Sequence, residues 1–324
     1  MGQNPNKITM FSSKLQGYQN DGKQKRNALI RATKEAAEKA KKVDELRGSF
    51  RIDTILMGST GIGKTYNVEK ALEDAKIKAV KITGSQSFFH FAGLLMVEHY
   101  LFSRRKNKKP NEKLIILADD CDSFFKDKEG RNTLKSISSK EGSRVLQYNK
   151  AIPEHLLTEL QLEILENYRY QNGAQGFEID CNDMMFIITT NFALPSENRA
   201  KQVSDANPAS DRANKLMDLA AIRRRFTCKD FMLDKPTNWG WLAEVTMNEG
   251  LIDDIFQGMS EFEITFRKEE ILTWVWNNWD IMTEHNLDTI RDLALRMKSS
   301  KNYIDSWDAD YLDPELERRK HQIS

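Results

Sequence analysis

The chain has 324 residues, with 49 Lys and Arg against 48 Asp and Glu, a formal net charge of +1 and a hydrophobic content of 40%. This is the composition of a folded globular protein, which excludes intrinsic disorder, and its charge balance argues against coating nucleic acid by bulk electrostatics alone. Its apolar runs, such as Leu114–Ala118, fall far short of the roughly 20 residues that span a bilayer.

A length above roughly 100–200 residues predicts one large domain with an appendage. Met1-Gly2-Gln3-Asn4-Pro5-Asn6 has no apolar secretory core, and Asn6 breaks the myristoylation pattern. Cys121, Cys181 and Cys228 are far apart, form no Cys-x-x-Cys pair and read as small semi-buried residues, so a reducing cytoplasm is expected.

The first twenty or so residues are polar and predict a loose tail. From Lys23 to Arg47 the chain reads as a helix with nine basic and four acidic side chains, either a solvated face or a surface for phosphate. Thr54-Ile55-Leu56-Met57 is a short apolar strand, Val68 to Ala75 a helix and Lys78 to Thr83 a second strand. Leu114-Ile115-Ile116-Leu117-Ala118 and Met184-Met185-Phe186-Ile187-Ile188 supply a third and a fourth. Buried strands separated by helical stretches predict an α/β fold with a parallel sheet flanked by helices. After Pro236 the pattern becomes helical, with Ile271, Leu272, Val275, Trp276, Trp279 and Met282 on one face, and the polar stretch from Ser299 reads as a tail ordered on assembly.

Between the first strand and its helix stands Gly58-Ser59-Thr60-Gly61-Ile62-Gly63-Lys64-Thr65, which fits G-x-x-x-x-G-K-[ST] throughout. Glycines let successive backbone N–H groups face a phosphate, and the helix N-terminus adds partial positive charge. Lys64 would reach the β- and γ-phosphates of ATP, and the Thr65 hydroxyl would hold Mg²⁺. Asp119-Asp120-Cys121-Asp122 directly follows the third strand. There Asp119 would order Mg²⁺ through its water shell, and Asp120 would activate or orient the attacking water.

Leu117-Ala118-Asp119-Asp120-Cys121-Asp122-Ser123-Phe124-Phe125 resembles the hydrophobic-run, Asp-Glu-x-Asp block of the AAA+ ATPases. The departure is Asp120, where that family has Glu; the side chain is one methylene shorter, about 1.5 Å less reach. Aspartate pairs at this place also occur in superfamily 3 helicases. The resemblance implies that Asn191, ending the fourth strand in Thr189-Thr190-Asn191, is the polar residue between the Walker-B strand and the phosphate loop, termed sensor 1. Ala220-Ala221-Ile222-Arg223-Arg224-Arg225-Phe226 is similar to the arginine-finger block of AAA proteins that disassemble membrane-remodelling filaments or sever microtubules. It implies that Arg224 and Arg225 face the γ-phosphate held by a neighbouring subunit. Leu287-Asp288-Thr289-Ile290-Arg291-Asp292-Leu293 resembles the sensor-2 helix, with Arg291 reaching the nucleotide and Arg296 as the fallback. The motifs run from Gly48 to Met297 at long spacings, which predicts insertions near 126–178 and 193–215.

Phe91-Ala92-Gly93 follows the second strand where the family places the pore loop that grips an extended client, although Phe88, Phe89, Phe91, Leu94 and Leu95 would equally pack a helix on the sheet. Arg104-Arg105-Lys106-Asn107-Lys108-Lys109 is a dense basic loop expected at the amino edge of the sheet, either a solvated run or, with the amino-terminal helix, a phosphate-binding patch. The expected layout is a polar tail and basic helix over 1–47, a nucleotide-binding core over 48–235, a helical lid over 236–298 and a charged tail over 299–324. What the resemblance implies is an Mg-ATP-hydrolysing ring, a homohexamer, that remodels or threads a protein client. The alternatives are a DNA-directed motor and an ATP-dependent scaffold with little hydrolysis.

Overall fold

In the computed structural model of the chain, the described residues are 11–42, 52–83, 87–109, 112–138, 144–171, 175–206, 208 and 210–316. The tail residues 1–10 and 317–324, and the end of the expected basic helix at 43–47, lie outside them. In chain order the elements begin with α1 (Ser13–Lys41), β1 (Thr54–Gly58), α2 (Lys64–Asp74), β2 (Ala79–Thr83), α3 (Phe88–Ser103) and β3 (Leu114–Asp119). The middle of the chain forms α4 (Ser123–Lys126), α5 (Lys128–Ile137), β4 (Val145–Tyr148), α6 (Glu159–Leu165), β5 (Phe177–Asp180) and β6 (Met184–Thr190). The remainder forms α7 (Glu197–Ala206), α8 (Asp211–Arg225), β7 (Thr227–Phe231), α9 (Lys235–Asn248), α10 (Glu261–Asn278), α11 (Leu287–Ser299) and α12 (Tyr303–Tyr311). Among the described residues no helix is long and apolar enough to cross a membrane.

The chain divides into two compact units, one comprising Arg31–Gly58 and Lys64–Phe231, the other Met1–Ile30, Ser59–Gly63 and Met232–Ser324. The first is mixed α/β. Its five strands are parallel, in the order β2-β3-β6-β1-β7. The three inner strands are the apolar runs seen in the sequence, and nearly every residue in them is buried, as in a sheet covered on both faces. The outer strands are only partly buried. β7 reads Thr-Cys-Lys-Asp-Phe and pairs only with β1, so it needs no apolar run, and sequence periodicity does not reveal it. Between β3 and β6 lies an inserted subdomain in which β4 and β5 pair antiparallel, with Tyr148 stacked on Phe177. It overlaps the stretch 126–178 that the motif spacing marks as long.

A buried ion pair ties that insertion to the sheet. Asp53, just ahead of β1, accepts two hydrogen bonds from Arg144 Nη2 at 2.9 and 2.7 Å and one from the Phe186 N–H at 2.8 Å. The same guanidinium donates to the carbonyls of Ile137 at 2.6 Å and Met184 at 2.9 Å. Burial raises the Asp53 carboxyl above its ordinary range, although Arg144 and the Phe186 N–H oppose this. A carboxyl raised on folding loses stability as pH climbs from its unfolded to its folded value, because the unfolded chain releases the proton first. Arg144→Met, which strands the carboxylate, is therefore expected to cost about 3–5 kcal/mol in urea unfolding at neutral pH, whereas Asp53→Leu/Arg144→Met costs far less. The double variant also lacks the pH-dependent loss contributed by Asp53. A single variant as stable as the parent would show that the pair fixes nothing.

The second unit is helical. Trp239, Ile271, Leu272, Ile290, Leu293 and Trp307 form its core, with the Trp239 and Trp307 indoles donating to the Leu272 and Leu293 carbonyls at 2.9 and 3.1 Å. Two expectations are corrected here. The chain is helical from Ser13, not a loose tail, because Leu15 and Tyr18 pack on this core and Phe11 meets Trp239 edge-on. Gly22, which reads as a coil signal, marks a close helix crossing: a Cβ there would come 2.0 Å from the Gly240 carbonyl carbon. The stretch after Ser299 is likewise not a tail, since α12 buries Trp307 completely.

Candidate functional site

Parallel strands paired in register end together. Met57 of β1 lies opposite Thr190 of β6, and Ala118 of β3 lies opposite Ile188, so Gly58, Asp119 and Asn191 emerge at one carboxyl edge. That edge, where strand order departs from chain order, is where open α/β sheets bind ligands. β6 stands between β1 and β3 and carries Asn191 between the two sequence motifs.

The side chains close into one network. Lys64 Nζ donates to the Gly58 carbonyl and to Asn191 Oδ1, both at 2.9 Å. Asn191 Nδ2 donates in turn to Asp120 Oδ1 at 3.3 Å. A cation on one side and a carboxylate on the other fix the orientation of this amide, a task neither Asp nor Leu would perform. Thr65 Oγ1 donates to Asp119 Oδ1, which also accepts from Thr189 Oγ1 at 2.5 Å. Asp122 Oδ1 accepts from Thr190 Oγ1 and from the Asn191 N–H at 3.2 Å, tying the turn after β3 to the end of β6. Asp120 itself adopts the left-handed backbone region, with φ +53°, which costs energy for a side chain that is not glycine and is typical of functional turns.

Burial lowers the Lys64 ammonium to about 8, held from falling further by Asp122, Asp120 and Asp119. The same three carboxylates add to burial in raising the Cys121 thiol to about 12, and burial raises Cys181 to about 12, so neither is a thiolate nucleophile.

Lys81, Thr189 and Asp122 join this site without having been singled out in the sequence. Lys81 Nζ lies 2.7 Å from Glu69 and 3.6 Å from Asp119 Oδ2. A lysine at an exposed position of an edge strand carries no signal of its own. Thr189 and Asp122 lie inside quoted motifs, and only the strand pairing shows their partners.

Within the helical unit, Gly61 and Gly63 of the phosphate-loop sequence are left-handed, with φ +75° and +74°. A Cβ on Gly61 would also meet the Asn286 Cβ at 2.4 Å. Asn286 caps α11 by accepting from the Thr289 N–H at 2.8 Å, so the helix expected to carry sensor 2 begins against the loop. Arg291 donates to the Leu251 carbonyl at 2.9 Å and pairs with Asp254, while Arg296 pairs with Asp292 and Asp310. Both arginines are thus engaged by groups of their own unit.

The three arginines ending α8 divide their tasks. Arg223 donates to the Leu194 carbonyl and Arg225 to the Lys135 carbonyl. Arg224 is 60% exposed, its Nη1 3.6 Å from Glu197.

Phe91-Ala92-Gly93 requires a correction. The triplet lies in α3, not in a loop, and all three residues are buried, with Phe91 edge-on to Phe124. Phe88 and Phe89 pack on Tyr148 of the inserted subdomain. The inserted subdomain gives these aromatics a hydrophobic partner, so they cannot grip a client from this position.

Among the described residues no group of three or more His, Cys, Asp or Glu side chains is arranged to hold a metal ion alone. The chain matches no family model, and no curated protein sequence matches it.

Proposed function

We propose that the chain is an Mg-ATP-binding and hydrolysing ATPase of the AAA+ kind, working as a ring, most simply a homohexamer. The observation that carries this reading is the continuous hydrogen-bonded path Lys64–Asn191–Asp120, with Thr65 and Asp119 facing each other beside it. A phosphate-loop lysine, an acidic pair and an amide from the intervening strand come together in the order the motifs imply.

The donor set fits Mg²⁺. Thr65 Oγ1 and the Asp119 carboxylate are hard oxygen donors, and Mg²⁺ is characteristically held by one or two such groups plus phosphate oxygens and water. When bound with ATP it would neutralise phosphate charge. Lys64 would turn from the Gly58 carbonyl to the β- and γ-phosphates. Asp120 would take a proton from water as its oxygen bonds to the γ-phosphorus and the bond from that phosphorus to ADP breaks; Asn191 would fix the water and carboxylate relative to each other. Arg224, exposed and held only by a long ion pair, suits a finger acting on a neighbouring copy. Arg225, engaged by Lys135, suits a supporting role in its own subunit.

The motor would act on a macromolecular client. Burial of Phe91-Ala92-Gly93 removes the argument that favoured a protein, and the cationic surface described below favours the nucleic-acid alternative. The test is ATP hydrolysis, with and without nucleic acid, on a sample of known oligomeric state. Turnover supports the reading. No turnover in an assembled ring, unrelieved by Asp120→Glu, would leave an ATP-dependent scaffold.

A further inference from the structure

We propose that a cleft at the amino edge of β2 and β3 binds a single-stranded polynucleotide through its phosphates. The cleft holds about 540 Å³ and is formed within the α/β unit by the end of α1, the α2–β2 turn, the end of α3 and the segment entering β3. Six cationic side chains line it: Lys41, Lys76, Lys78, Arg105, Lys109 and Lys113. They face two carboxylates, those of Glu98 and Glu112. Glu112 is already taken, by an ion pair with Arg105 and by the Lys109 N–H at 3.0 Å. The ammonium groups of Lys41, Lys76, Lys78 and Lys109 have no carboxylate partner among the described residues, and all four side chains are exposed. Four like charges converge on one concavity where Glu98 is the carboxylate left to offset them, so they repel one another, and an anionic ligand lowers that repulsion.

Lys76 supplies a second, independent indication. It occupies the left-handed position that ends α2, with φ +57°, closing the helix through hydrogen bonds from Lys76 N to the Glu73 carbonyl and from Ile77 N to the Leu72 carbonyl. Glycine fits that position without strain. A lysine there costs backbone energy and places an ammonium at the cleft, the kind of local cost that accompanies a functional side chain.

All four of these cations are lysines, point charges that attract phosphate and carboxylate oxygens alike, so the choice of ligand rests on the wall between them. Between the lysines the wall is apolar, with Val80, Leu114 and a 54%-exposed Leu101. Lysines flanking an apolar wall suit a strand whose phosphates meet the cations while its bases lie on the hydrophobic surface. The cleft has the volume of a small-ligand site, which admits splayed nucleotides and not the body of a duplex. It lies at the opposite ends of β2 and β3 from Asp119, a strand length of roughly 17–20 Å away, so its occupancy does not depend on the ATPase reading.

The test is fluorescence anisotropy of the full chain without ATP, using labelled oligo-dT or oligo-U of about 20 nucleotides. Competitors are the duplex, a mononucleotide and poly-glutamate. Binding is expected to weaken with salt with a logarithmic slope near −3, at about −0.7 per phosphate for four contacts. The dT and U arms distinguish DNA from RNA. Lys41→Ser/Lys76→Gly/Lys109→Ser is expected to weaken binding by ~10-fold or more. Lys76→Gly alone weakens it while the melting temperature holds or rises, which separates loss of a contact from loss of fold. Poly-glutamate binding as tightly as the oligonucleotide would overturn the proposal in favour of an acidic peptide. Equal competition by the mononucleotide, or affinity unchanged in the triple variant, would also overturn it. Lys64→Ala in the same assay should bind as the parent does, so failure of the phosphate-loop reading leaves this result untouched.

Discussion

Arg224→Ala should lower ATP turnover of the assembled protein by on the order of 10³-fold while leaving nucleotide affinity and thermal stability near those of the parent. The guanidinium is largely exposed, and its partner among the described residues, Glu197, lies 3.6 Å away, a surface pair worth little to the fold. Its neighbours behave differently. Arg223 and Arg225 hold backbone carbonyls, so truncating either leaves an acceptor unpaired and is expected to lower stability more than Arg224→Ala does. The contrast makes the prediction specific to position and not to positive charge at the end of α8. A finger acting between subunits has a further signature: subunits lacking Arg224 and subunits lacking Lys64 complement each other when mixed, since a parental finger then faces an intact phosphate loop at some interfaces. Normal hydrolysis by assembled Arg224→Ala protein would end the trans-finger assignment.

How much of this was legible in the sequence follows from where each residue finds its partners. β1, β3 and β6 are covered on both faces, so their apolar runs announce them. β7 is a polar edge strand, and β4 and β5 pair across a long insertion without a short-turn signal. The start of α1 was hidden because its first residues are mostly polar, and the approach of Gly22 to Gly240 leaves no local signal. At the candidate site Lys64, Thr65, Asp119, Asp120 and Asn191 were readable because motif and strand end coincide. Arg144 and Asp53, 91 positions apart, were not, since nothing local distinguishes a buried ion pair from two surface charges. The triplet Phe91-Ala92-Gly93 shows the converse error. Order along the chain suggested a gripping loop, but hydrophobic partners in the inserted subdomain decide its position.

Lys64→Ala is expected to cost on the order of 10²–10³-fold or more in ATP hydrolysis, together with most ATP affinity, and to cost the fold little. Lys64 is 8% exposed, and desolvation of its ammonium is only partly repaid by the three nearby aspartates, which is why its proton affinity falls. Lys64 already meets the Gly58 carbonyl and Asn191; on the ATPase reading, triphosphate oxygens would add the negative charge that offsets its desolvation further. Removal therefore separates the two roles a buried cation can have. A structural lysine would leave Asp119, Asp120 and Asp122 with one cation fewer, Lys81 remaining beside Asp119 alone, and unfolding would move to lower temperature. A phosphate-binding lysine leaves melting close to the parent but abolishes the rise in melting temperature expected of the parent with ATP. Asn191→Ala sharpens the distinction, because it releases Lys64 and Asp120 together: ATP binding is retained and turnover falls. If Lys64→Ala protein still melts higher with ATP, to the same extent as the parent, the phosphate-loop assignment is wrong and the ATPase reading fails with it.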